Sequence, residues 1–276
     1  MKKYEITDET MKIGKITLHR IKAMAAFANV KAGEIGGWVE KEDNLEQTDN
    51  AWVCGNAMIC GNAMVYGNAM ICDDAMICGN AMICDDARVY GNAMICGNAW
   101  VYDDARVYGN ARVCGNAMIY GNARVYGNAR VYGNARVYGN ARVCDDARVY
   151  GNARVYGNAM ICDDAMICDD AMICGNAMIC GNAWVYGEKY YMTIGPIGSR
   201  NDTITFTRDR NGGIFAAVGC FRGTLAEFRA KVRKTHGENA HAQAYLLAAQ
   251  LAELRIDTTP VVEKLEESAE VETDGD

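Results

Sequence analysis

Apolar and polar positions of this chain recur with a period of six over residues 51–188, where one six-residue phrase repeats 23 times without a gap. The first unit is Ala51-Trp52-Val53-Cys54-Gly55-Asn56 and the last is Ala183-Trp184-Val185-Tyr186-Gly187-Glu188. In general form the phrase reads Ala, Met/Arg/Trp, Val/Ile, Cys/Tyr, then Gly-Asn or Asp-Asp. Ala and Val/Ile stand two apart, so on an extended segment both point to one side, and the second and fourth residues to the other. The closing pair is a corner, because Gly, Asn and Asp best tolerate left-handed backbone. Each hexapeptide therefore predicts a four-residue strand and a bend around a narrow interior of Ala and Val/Ile. A helix is excluded, since its apolar positions would recur every ~3.6 residues. One unit cannot bury its apolar side alone, but stacked coils can, which is the logic of a solenoid.

If three hexapeptides make a coil, residues eighteen apart stack. Fourth-position residues match in 12 of 20 comparisons at that lag, against 11 of 22 at one repeat and 10 of 21 at two, which leans toward three per coil. The phrase also resembles the hexapeptide repeats of left-handed β-helices, in which three short strands build each triangular coil. That resemblance implies an all-β, left-handed triangular solenoid of between seven and eight coils, a rod ~37 Å long at ~4.8 Å per coil. Cys or Tyr after the inward Val/Ile departs from the usual pattern, where a small residue is common.

The flanks read differently. Residues 1–50 form a lead-in and cap: a strand over 15–21, a glycine-rich turn at Lys31–Val39, and Leu45–Asn50 in repeat phase with polar substitutions. Residues 189–256 form a small α+β module that would cap the other end. Its strands are read at 190–194, 203–207 and 214–218 around a Gly195-Pro196-Ile197-Gly198 loop. A helix starts at the capping box Thr224–Glu227, with Leu225, Phe228 and Val232 on its apolar face. A second helix, about 240–255, places Ala244, Leu247, Leu251 and Leu254 together. Residues 257–276, with eight acids and one Lys, read as a disordered acidic tail. The flanks resemble those of hexapeptide-repeat proteins of bacteria and their phages, the YdcK-like group. The residues that carry this are Gly36-Gly37-Trp38, the run from Gly195 to Asn201, and Thr235-His236-Gly237-Glu238-Asn239. This resemblance implies kinship and supplies no activity.

Composition narrows the function classes. A net charge of −7 argues against a generally basic nucleic-acid coat. The first residues hold no secretory signal and no apolar run approaches a membrane span, so a cytoplasmic protein without membrane contact is expected. Of thirteen cysteines, twelve occupy the fourth repeat position, a distribution that points to free thiols on a repetitive surface. Six cysteine pairs are nevertheless spaced to stack: 54/72, 60/78, 78/96, 96/114, 144/162 and 162/180. Left-handed hexapeptide folds include acyltransferases, which use a histidine and protruding loops, and carbonic anhydrases with three histidine ligands. Here His19, His236 and His241 all lie outside the repeat and no loop interrupts it, so no catalytic residue, metal or cofactor is assigned. Stacked Asp-Asp corners, such as 85–86 over 103–104, are read as solvated rather than as a Ca²⁺ site. Cys220 with His236 or His241 is weighed as a nucleophile–base pair and set below a surface reading.

The outward ranks hold the candidate function. The second position is Met in 11 units, Arg in nine and Trp in three, with Met at both ends and Arg between. Six consecutive units carry Arg124, Arg130, Arg136, Arg142, Arg148 and Arg154, accompanied by Tyr126, Tyr132, Tyr138, Tyr150 and Tyr156. Flat faces of Met, Cys, Tyr and Trp leave more apolar surface than a monomer usually exposes. The expected function is a non-enzymatic, structural β-solenoid forming a homodimer through such a face. Two alternatives stay open: a polyanion or nucleic-acid binding module using the Arg/Tyr band, and an enzyme acting through the C-terminal module.

Overall fold

The computed structural model describes residues 2–259, so the tail read at 257–276 falls almost wholly outside the described residues. The repeat forms 23 strands of two residues each, from Trp52–Val53 to Trp184–Val185. They are shorter than the four residues expected: only the Met/Arg/Trp–Val/Ile pair of each unit lies in a strand. Each strand pairs in parallel with the one eighteen residues on, as Met58 does with Met76 and Ile59 with Ile77. Three hexapeptides therefore make one coil of a β-solenoid of about 8 turns. Its three sides are an eleven-stranded sheet that includes the N-terminal strands, an eight-stranded sheet and a seven-stranded sheet.

Coils are joined by a repeating backbone set: Met58 N–H to the Ala75 carbonyl (2.9 Å), Cys60 to Ile77 (2.9 Å) and Asn62 to Gly79 (2.8 Å). Inside, the Ala and Val/Ile ranks have essentially no exposed surface, as at Ala123, Val125, Ala135 and Val137 (all 0%). At the corner the fifth residue takes left-handed backbone whether it is Gly133 (φ 71°) or Asp73 (φ 62°). Asp there gains a compensating bond, since the Asp73 carboxylate accepts from the Gly91 N–H at 2.9 Å. The sixth residue builds an amide ladder: Asn80 donates to Asn98, Asn98 to Asn116 and Asn116 to Asn134, each at 3.0 Å.

Both ends are covered, which protects strand edges that would otherwise template aggregation. At the start, β1 (Tyr4–Ile13) and β2 (Ile16–Ala23) pair antiparallel, and β3 (Ile35–Val39) joins β2 to the solenoid. β1 carries no clear alternation and is not evident from the sequence, and Gly36-Gly37-Trp38, read as a turn, lies in β3. Buried Trp52 seals this end, with Phe27 and Tyr4 edge-on at 5.4 and 6.5 Å.

At the far end, strands Tyr191–Ile197, Asp202–Arg208, Ile214–Val218 and Phe221–Thr224 form a four-stranded antiparallel sheet. The Gly195-Pro196 segment, read as a loop, belongs to the first of these, and the fourth was not anticipated. The sheet docks on the last coil: the Met178 N–H donates to Thr205 Oγ1 (2.9 Å) and the Arg210 N–H to the Asn182 carbonyl (2.9 Å). Helix α1 (Leu225–His236) starts at the expected Thr224/Glu227 capping box and buries Leu225, Phe228 and Val232. Helix α2 (Ala240–Arg255) corrects the sequence reading. It buries Ala242, Tyr245, Ala248, Ala249 and Ala252, while Leu247, Leu251 and Leu254 are exposed. Small alanines let α2 approach its neighbours closely, and this stripe outcompetes the bulkier leucines one position round the helix.

Candidate functional site

Stacking at eighteen-residue spacing sorts the outward residues in a way block order conceals. Consecutive hexapeptides lie on different sides, so the six-Arg block wraps around the rod. Arg124 and Arg142 stand on the eight-stranded face, Arg130 and Arg148 on the eleven-stranded face, and Arg136 and Arg154 on the seven-stranded face. Arg88 and Arg106 extend the eight-stranded face to four arginines in a row. Arg112 extends the eleven-stranded face to three.

The fourth-position residues form three ranks that are largely homotypic. Tyr90, Tyr108 and Tyr126 stack with centroids 4.9 and 5.0 Å apart. Tyr102, Tyr120, Tyr138 and Tyr156 do the same at 4.9, 4.8 and 5.0 Å, and Tyr132 stacks on Tyr150 at 5.1 Å. Tyrosine thus packs on tyrosine. Among the described residues, no repeat arginine lies over a tyrosine ring. Tyr150 and Tyr156 also donate to the Met166 and Met172 sulfurs at 2.9 and 3.2 Å.

The cysteines form the complementary stretches of these ranks. Cys54–Cys72 and Cys96–Cys114 are disulfide-bonded, which corrects the free-thiol expectation at four positions. Stacking holds each pair with Cα atoms 4.6 Å apart, inside the range a disulfide needs. Cys144, Cys162 and Cys180 remain thiols, sealed beneath Phe215 and Ala217 of the C-terminal sheet. Cys162, Cys180 and Asp163 come within 4.8 Å of one another, a donor set suited to a soft metal. Arg222, however, pairs with the Asp163 carboxylate at 3.7 Å, placing a cation where a metal would sit. The Cys180 thiol is held below its ordinary range by the Cys162 thiol, against burial and with help from Arg222. Among the described residues, Asp163 is the one Asp-Asp corner acid that joins a potential ligand group, and it does so with two thiols rather than with other acids.

The seven-stranded face differs from the other two. Its order is Met64, Met82, Trp100, Met118, Arg136, Arg154, Met172. Met64 and Trp100 are each 43% exposed, and Trp100 is the most exposed aromatic side chain of the repeat's large hydrophobics. Five of its seven outward residues are apolar, and the two arginines stand side by side between Met118 and Met172.

The C-terminal module contributes a cavity of about 340 Å³ between its sheet and helices, edged by Arg200, Asp202, Cys220, Lys231 and His236. It brings together Cys220 and His236, the pair weighed from sequence. Among the described residues no hydrogen bond joins them, so the contact a nucleophile–base pair requires is not made. His19 lies on β2 and His241 on α2, far along the chain from any cysteine rank.

Parallel hexapeptide coils enclosing an apolar prism define a β-solenoid. Residues 57–73, an overlapping run from 87 to 163, and 171–187 match the family model described as the YdcK β-solenoid repeat. Over those residues the repeat block is similar to the YdcK β-solenoid repeat. A solved structure of the UDP-N-acetylglucosamine acyltransferase of Francisella novicida is similar over 53% of this chain and 66% of that one, at 14% identity and a TM-score of 0.33. This chain thus spans just under two thirds of that enzyme's length. No curated protein matches the chain. Among the described residues, no helix is long and apolar enough to cross a membrane.

Proposed function

We propose that this protein is a structural, self-associating β-solenoid that pairs with a second copy of itself through the seven-stranded face. The observation that carries this reading is the residue order on that face. A two-fold axis through its central Met118 sets Trp100 against Arg136 of the partner subunit, Met82 against the partner's Arg154 and Met64 against the partner's Met172. Arginine over the indole face is a favourable contact, worth about 0.5–2 kcal/mol depending on desolvation. The same operation on the eight-stranded face would oppose Arg106 to the partner's Arg124 and Arg88 to the partner's Arg142. On the eleven-stranded face it would oppose Arg112 to the partner's Arg130. Both cost like-charge repulsion, so the seven-stranded face is the one on which no arginine opposes another. A face ~13 Å wide and ~30 Å long covers ~400 Å² per copy, about 800 Å² in total, which places the contact among small interfaces. A closed two-fold contact also ends growth at the dimer.

Sedimentation of the full chain across micromolar concentrations tests this. A dimer mass supports it, and a strict monomer overturns it. A dimer that survives Trp100→Lys but dissociates in Leu251→Glu would move the contact to the exposed leucines of α2.

One observation favours a second reading. Arg88, Arg106, Arg124 and Arg142 stand in four successive coils, a cationic rank that suits a polyanion. Binding of single-stranded DNA that falls steeply with salt and is lost in Arg106→Glu/Arg124→Glu would support it.

A further inference from the structure

The second side-chain rank opens with Cys60, Cys78, Cys96 and Cys114 in four successive coils. Their neighbours are in unshifted parallel register, Met58 on Met76, Met76 on Met94 and Met94 on Arg112, so the four sulfurs lie in file along the rod. Backbone bonds clamp each step: Cys60 N–H to the Ile77 carbonyl (2.9 Å), Cys78 to Ile95 (3.0 Å) and Cys96 to Val113 (2.9 Å). Cys96 and Cys114 are joined with Cα atoms 4.6 Å apart, while Cys60 and Cys78 are half-exposed thiols. Because the register does not change, every adjacent pair has nearly this separation, and a disulfide accepts Cα distances of about 4.4–6.8 Å. The bond is thus equally well accommodated at any of the three steps.

We propose that this rank is a thiol–disulfide exchange track, along which one disulfide moves from Cys96–Cys114 to Cys78–Cys96 and on to Cys60–Cys78. In the first step the Cys78 thiolate attacks the Cys96 sulfur. A Cys78–Cys96 bond forms as the Cys96–Cys114 bond breaks, and the electron pair leaves on the Cys114 sulfur, which takes a proton from water. In the second step Cys60, having given its proton to water, attacks Cys78 and releases Cys96 as the thiol. Each step exchanges one disulfide for another and leaves two thiols in the rank, so no external oxidant or reductant is consumed. Exchange needs the attacking thiolate to reach a disulfide sulfur, and the unshifted register sets Cys78 one coil from Cys96.

The attacking group is also prepared. The Cys60 thiol hydrogen-bonds the Cys78 sulfur and, against the effect of burial, holds Cys78 down to about 7, while Cys60 itself is pushed well up. A substantial fraction of Cys78 is therefore thiolate at neutral pH. The other cysteine stretches lack one requirement each. The Cys54–Cys72 disulfide is followed in its rank by Tyr90, with no third thiol in line. Cys144, Cys162 and Cys180 contain no disulfide and are sealed by the C-terminal sheet. Beyond Cys114 the track stops at Tyr132, which stacks on Tyr150.

Cleavage after Lys and Arg separates the outcomes, because Cys78 falls in peptide 42–88, Cys96 in 89–106 and Cys114 in 113–124. Full-length protein purified without reductant would be held at about pH 8, where thiolates form, with aliquots trapped by N-ethylmaleimide in acid and mapped by mass spectrometry. The expected result is decline of the 89–106/113–124 linkage and growth of the 42–88/89–106 linkage at constant total thiol. Cys78→Ser should abolish the new linkage, and Cys60→Ser should leave it intact. Persistence of the 89–106/113–124 linkage alone, its loss with no disulfide remaining among Cys60, Cys78 and Cys96, or the new linkage appearing in Cys78→Ser would each overturn the proposal.

Discussion

Trp100 and Arg136 stand on the same sheet, two coils apart, on opposite sides of Met118. That placement makes the face complementary to itself when turned end for end. Removing the aromatic partner should therefore separate the subunits without disturbing the coil. Trp100→Lys puts an ammonium opposite the partner's Arg136, a like-charge contact, and leaves the 0%-exposed Val101 and Ala99 interior untouched. The expected outcome is a monomer with unchanged circular dichroism and a melting temperature altered only by the lost association. A dimer of unchanged affinity would show that Trp100 is not at the contact.

The left-handed corners give a rank order for substitution. A Cβ on Gly133 would lie 3.1 Å from the Gly151 nitrogen, at φ 71°. Gly133→Ala should cost about 1–2 kcal/mol, the usual penalty for a side chain in this conformation. Gly133→Asp should cost less, because its carboxylate would accept from the Gly151 N–H as Asp73 accepts from Gly91. Denaturant titration of the two variants checks the order, and equal or inverted losses would contradict it.

The narrow interior should resist enlargement. Ala123 has no exposed surface and faces the rod axis between Val125 and its neighbours in the adjoining coils. Ala123→Leu adds three carbons to a filled prism, an overpacking that costs about 1–3 kcal/mol. Loss of stability in urea checks it. Because each coil contacts only its neighbours, loosening should centre there, with faster amide exchange around residues 105–141 than in the end coils.

Two half-buried and buried thiols should differ sharply in alkylation. Cys78 is lowered to about 7 by its bond from Cys60, so its reactivity with iodoacetamide should rise as pH rises through about 7. Cys84 is pushed up to about 11, first by burial, and should stay unreactive at neutral pH. The sign follows from the thiolate being the nucleophile and existing above the group's own pKa. Peptide mapping after brief alkylation at several pH values reads both residues at once. Equal labelling of Cys78 and Cys84 at neutral pH would contradict the assignment.

The rod itself is legible in the sequence because its interior is written as a strict two-residue alternation, Ala then Val/Ile, that only stacked short strands can bury. The capping box at Thr224–Glu227 is equally local, and α1 begins where it says. What resists reading is whatever depends on contacts distant in the chain. The Leu247, Leu251 and Leu254 stripe has the right period for a buried face, yet the alanine side of α2 packs instead. Arg124 to Arg154 look like one band because they are consecutive, but a coil sends every third unit to the same face. Only the eighteen-residue register turns that block into three separate ranks and brings Trp100 into line with Arg136.

The most direct test places a photoreactive p-benzoylphenylalanine at position 118, on the proposed two-fold axis. Irradiation of the full chain at micromolar concentration should yield a covalent dimer in which peptide 113–124 is joined to peptide 113–124 of a second copy. No covalent dimer, or one joined through peptides of the eight-stranded face or α2, would contradict pairing through the seven-stranded face.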